Sequence, residues 1–100
     1  MRMLIIAQVF ESIHKEDEVA RLQKALGGQF GKIMESGKVE SSGIFADGRG
    51  GFFVVNVDSA EEVMGLLGDT ILDRMNVETH PVVQMDTLME WFKKLEKERA

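Results

Sequence analysis

No cysteine occurs in the 100-residue chain, which excludes disulfides, thiolate nucleophiles, zinc fingers and iron–sulfur clusters. Tyrosine is also missing, and there are only two histidines, one tryptophan and one proline. Few side chains can therefore exchange a proton near neutral pH. Basic residues are in deficit, since twelve Lys and Arg face seventeen Asp and Glu for a net charge of −5. With no basic cluster outside the C-terminal tail, that balance argues against binding to a phosphate backbone. Long apolar runs are lacking too: Met1–Phe10 is too short to span a membrane and is followed by no small-residue cleavage site. The expectation is a soluble, cytoplasmic protein with no nucleic-acid and no membrane partner.

What the chain does contain is ordinary globular material, 44% hydrophobic and 29% charged. A length of 100 residues suits one domain over residues 1–100, with enough core to fold without staples.

Met3–Phe10 is a nearly continuous apolar run broken only by Gln8, which predicts a strand buried on both faces. From Glu16 to Ser36, Val19, Leu22, Leu26, Phe30 and Ile33 recur at helical spacing. Glu16, Asp17 and Glu18 suit the positive start of that helix and Gly37 its stop. Gly27-Gly28 in its middle predicts a kink, a close approach to a sheet, or a break into two helices. Lys38–Ala46 and Gly51–Val57 read as two strands joined by a hairpin at Asp47-Gly48. Ser59-Ala60-Glu61-Glu62 is a capping box, with Glu62 reaching back to the Ser59 amide, and opens a short helix ending at Gly68. After a loop, Met75–Gln84 reads as a fourth strand whose Pro81 places it at a sheet edge or at a bulge. Thr87-Leu88-Met89-Glu90 repeats the capping pattern and opens a last helix with Leu88, Trp91, Phe92 and Leu95 facing inward.

The order β-α-β-β-α-β is that of the α+β ferredoxin-like split unit, in which the second and fourth strands are the edges. Two helices cover one face of such a sheet. The first and third strands are apolar on both faces, so the other face would be an exposed apolar patch, and a second copy of the chain is its simplest cover. The competing expectation is that the last helix folds back over it.

The stretch from Gly51 to Trp91 carries Phe52-Phe53-Val54-Val55-Asn56-Val57-Asp58-Ser59-Ala60-Glu61-Glu62-Val63, then Met75-Asn76-Val77-Glu78 and His80-Pro81-Val82-Val83. In this it resembles the muconolactone isomerase-like branch of the dimeric α/β-barrel superfamily. The resemblance implies a homodimer with a pocket under each sheet, and higher assemblies of dimers are compatible with it. The first strand contains neither Lys nor Glu, so no residue is assigned the isomerase's acid–base role by resemblance.

Period-two alternation groups Gln8 with Leu4, Ile6 and Phe10, Asn56 with Phe52 and Val54, and His80 with Glu78 or Val82. Gln8, Asn56 and His80 are the expected polar lining of a pocket, with Phe10, Phe52 and Glu78 beside them and His14 at its rim. His80 is the catalytic candidate, because an imidazole titrates in the range useful to a general acid or base. Its plainer reading is a surface residue beside a proline, and for His14 it is solvation. Two distant histidines and unpaired carboxylates give no metal-ligand spacing, and no cofactor is expected. Asp47-Gly48-Arg49-Gly50-Gly51 joins two strands instead of opening a helix, so it reads as a turn and not a phosphate cradle. Three functions stay open: a metal-free enzyme moving a proton on a small aromatic-derived or lactone-like molecule, a non-catalytic ligand-binding or stress-associated dimer, and a dimerisation module with a filled pocket.

Overall fold

The computed structural model describes residues 1–99. Along them run β1 (Arg2–Val9), α1 (Glu16–Glu35), β2 (Val39–Ile44), β3 (Gly50–Asn56), α2 (Ala60–Arg74), β4 (Met75–Val82) and α3 (Met85–Arg99). The strands form one sheet in the order β2-β3-β1-β4, with every neighbouring pair antiparallel. Each helical crossover straddles one strand, β1-α1-β2 enclosing β3 and β3-α2-β4 enclosing β1. This is the ferredoxin-like arrangement that the element order predicts.

Alternation decides the two faces. Met3, Ile5 and Ala7 of β1, Phe53 and Val55 of β3 and Met75 of β4 are buried, together with Leu22, Leu26 and Ile33 of α1 and Val63, Leu67 and Ile71 of α2. These make one core between sheet and helices. Phe30 of α1 meets Phe53 edge to face at 5.6 Å between ring centroids, a favoured aromatic geometry. Of the two alternatives for Pro81 the structure shows the edge: β4 is an edge strand, and its register with β1 runs through Pro81 opposite Met3 without a shift. The sheet's one register shift is in the other edge, between Val39 and Ser41 of β2.

Several local expectations are corrected. α1 is one continuous helix, and Gly27 and Gly28 are exposed on it, with nothing near the place a side chain would fill. No contact with the sheet explains them. α2 does not end at Gly68. There the backbone turns to φ 75°, ψ 173° and the helix resumes to Arg74. The break is held by α1: Gln29 Nε2 donates to the Leu66 carbonyl at 3.0 Å, supplying a partner next to the place where the helical ladder is interrupted. At the start of α2, Ser59 Oγ accepts from the Glu62 amide at 3.3 Å, but the Glu62 carboxylate accepts from the amide of Asp58 at 2.8 Å, not from that of Ser59. α3 begins at Met85, two residues before the capping pattern that was to open it, and the amides of Thr87 and Leu88 both donate to the Gln84 carbonyl.

The largest departure concerns the inward face of α3, which buries no residue. The helix does not fold back over the sheet. The chain measures 62 × 26 × 21 Å with a radius of gyration of 17.2 Å, whereas a compact domain of this length has about 13 Å. No helix among the described residues is long and apolar enough to cross a membrane.

Two predictions follow from these contacts. Gly68 occupies a backbone region open essentially to glycine alone, and an added Cβ would lie 2.8 Å from the Gln29 amide nitrogen. Gly68→Ala is expected to cost about 1–3 kcal/mol of stability in chemical denaturation; an unchanged midpoint would contradict this reading of the kink. Glu62, for its part, is ion-paired with Lys38. That ammonium, and secondarily the Asp58 amide, hold its carboxyl below the ordinary value of 4.5, so the stability it contributes is complete above that value and is lost as pH falls through the lowered one. Glu62→Gln should lower the melting temperature near neutral pH, and the gap to the parent protein should close in strong acid. A gap independent of pH would show that the ion pair contributes nothing.

Candidate functional site

The sheet face away from α1 and α2 is built in rows that the register fixes. One row holds Leu4 between Val54 and His80, and the next holds Ile6 between Phe52 and Glu78. Leu4, Ile6, Phe52 and Val54 are half-buried in the single chain and form the apolar centre of the face. Phe52 lies over Gly43 of β2, where an added Cβ would sit 2.5 Å from the ring; glycine there makes room for the aromatic.

Along β4 the face ends in a polar pair. Glu78 and His80, two residues apart and therefore on the same side of the strand, place Oε2 and Nε2 3.4 Å from each other. Both side chains are more exposed than buried, at 67% and 59%. With His80 neutral, the carboxylate can accept a proton-bearing Nε2 and leave Nδ1 free to accept; with His80 protonated, the contact becomes an ion pair. The arrangement can orient an imidazole beside an apolar surface, which is the minimum a proton-transfer site needs.

Gln8 and Asn56 are on the same face but not in the same place. Gln8 stands between Gly50 and Asn76, whereas Asn56 stands opposite Arg2. Six residues of strand separate the two rows, about 20 Å at strand rise, so Gln8, Asn56 and His80 do not converge. Asn56 Oδ1 accepts from the Met1 amino group at 3.4 Å, and at this end Arg2 pairs with Glu40 at 2.9 Å. Phe10, half-buried, follows β1 at the opposite end. His14 is exposed in the loop beyond, with Nδ1 3.1 Å from the Ser12 carbonyl.

Sequence reasoning took the Asp47–Gly51 segment as a turn, which it is, with Gly48 at φ 72°. It missed what Arg49 does there. The guanidinium donates to the carbonyls of Phe10 at 3.0 Å and Ile13 at 2.7 Å, clasping the hairpin to the loop that carries His14. A lone Arg among glycines beside a strand end was the only signal, and a weak one.

A second concavity lies on the helical side of the sheet, between α1 and the β2–β3 hairpin. It has a volume of about 240 Å³ and is lined by apolar groups that include Phe30, Met34, Ile44, Phe53 and Met75 over a floor at Ala7 and Gly51. No titratable side chain lines it. Among the described residues no three His, Asp or Glu side chains are grouped as metal ligands would be.

No curated protein matches the sequence. A family model described as a domain of unknown function, DUF3303, matches residues 1–96. That match takes in all four strands and most of α3, and the chain belongs to the DUF3303 family.

Proposed function

We propose that the protein acts as a homodimer whose open sheet faces enclose a small apolar or aromatic molecule, with His80 transferring a proton on it and Glu78 orienting the imidazole. The observation that carries this reading is the juxtaposition of one imidazole–carboxylate pair with the apolar rows of Leu4, Val54, Ile6 and Phe52. In the isolated chain water reaches both members of the pair. A second sheet packed against the first would exclude it, and in a drier site the carboxylate fixes the tautomer and supports the imidazolium more strongly. A lactone or aromatic-derived acid with an acidic C–H suits both the apolar surface and a single acid–base group. The residues invoked need no metal for this. The resemblance to the muconolactone isomerase-like branch supports the homodimer and the pocket, not the reaction, and Gln8 and Asn56 are too far from each other to serve one ligand.

The exposure of Glu78 and His80 favours a second reading, in which the dimer binds such a molecule and does not turn it over. A cytoplasmic setting is compatible with either.

The two readings separate in deuterium oxide. Small lactones and aromatic-derived acids that carry a C–H next to their carbonyl, incubated with the protein, should exchange that C–H, followed by NMR, and His80→Ala should slow the exchange by about 10²–10⁴ while leaving the circular dichroism unchanged. Glu78→Gln should slow it less. Exchange unaffected by His80→Ala would remove His80 from the chemistry, and saturable ligand shifts with no exchange at all would establish the binding reading.

A further inference from the structure

α3 and the cleft beside α1 are two apolar surfaces of one chain, and neither is closed over by another element among the described residues. Leu88, Trp91, Phe92 and Leu95 recur at helical spacing along one side of α3, yet Trp91 is 56% and Phe92 44% exposed. Around the cleft, Met34 is 52% and Ile44 69% exposed. We infer that α3 is an exchanged arm: its apolar stripe docks into the cleft between α1 and the β2–β3 hairpin of a second copy, and the second copy's arm docks here in return. The inference rests on the homodimer proposed above but not on its ligand or chemistry.

No residue of the arm lines the chain's own cleft. Met75, at the start of β4, lines the cleft, whereas α3 follows Val82 at the other end of that strand. The two points lie about 24 Å apart at strand rise, only Val83 and Gln84 join strand to helix, and the helix extends the molecule to 62 Å. A second copy supplies the same cleft without that constraint. Because each chain carries both halves of the contact, two copies related by a two-fold axis satisfy each other, and a closed pair leaves no unpaired arm.

Charge chooses between a protein and a lipid surface. Along α3, Lys93, Lys94, Lys97 and Arg99 are matched by Asp86, Glu90, Glu96 and Glu98, and the whole chain is at −5. A helix made for an anionic bilayer carries a basic polar face; this one is neutral. A fully covered aromatic buries about 150–250 Å², and Trp91 and Phe92, at 56% and 44% exposed, have about half of that left to bury, so the rest of the roughly 1,200–2,000 Å² of a specific interface must come from the sheet-to-sheet face.

Trp91 is the only tryptophan, so it reports on the arm directly. In the full chain at micromolar concentration its emission should be blue-shifted, and acrylamide should quench it several-fold less than in Met34→Glu/Ile44→Glu, where two exposed residues of the cleft become charged. Circular dichroism checks that this variant stays folded. Because the chain has no cysteine, a mixture of the single variants Ile44→Cys and Leu88→Cys treated with a short bismaleimide should give a two-chain product that neither variant gives with the parent protein. Trp91 equally quenched in parent and cleft variant would overturn the exchange. If the protein were then dimeric by light scattering, the sheet-to-sheet pair would stand alone; if monomeric, both would fall. Protection of Trp91 that survives the cleft charges but is lost in Ile6→Glu would place α3 on the open sheet face and overturn the cleft as its dock. A shift that appears only on adding phosphatidylglycerol vesicles would overturn it in favour of a bilayer.

Discussion

The structure depends on a mismatch between apolar surface and cover. β1 and β3 are apolar on both faces, but α1 and α2 can lie on only one. That one face, with Ile5 and Val55 fully buried at its centre, supplies the core and fixes the register by which every other residue is placed. The opposite face keeps Leu4, Ile6, Phe52 and Val54 half-exposed, and α3 adds a further unpaired stripe. Such surfaces are costly in water. The chain carries two of them, and the proposed dimer is the arrangement that would cover them.

The fold was largely legible because its signals are local and repeated. Alternation through Met3–Phe10 and Gly51–Val57, the 3.6-residue stripe from Val19 to Ile33 and the Asp47-Gly48 turn are each read within a short window, and each found its element within a residue or two. What was missed depends on contacts between distant segments. Asp69 and Thr70 looked like a loop because nothing in their neighbourhood shows Gln29 of another helix supporting the break at Gly68. Glu62 bonds the amide of Asp58 and pairs with Lys38 of another segment, and spacing within the capping box carries neither fact. For α3, the apolar stripe was visible, but the assumption that a stripe faces its own chain was not a property of the sequence.

The candidate site shows the same boundary more sharply. Period two assigns a residue to a face but not to a row. It grouped Gln8, Asn56 and His80 correctly on one side of the sheet, while the antiparallel register sets Gln8 and Asn56 at opposite ends of it. Only Glu78 and His80 are neighbours, because both lie on one strand and need no register to meet. Arg49, which clasps the hairpin to the loop carrying His14, acts through backbone carbonyls and leaves almost no trace in composition or spacing.

The central claim is that the open face is closed by a second copy of the chain. Light scattering coupled to size exclusion, run over a wide range of protein concentration, tests it most directly. The account predicts twice the chain mass, or an even multiple of it, maintained on dilution into the low micromolar range. A single-chain mass at every concentration would leave the apolar face uncovered in solution and contradict the account.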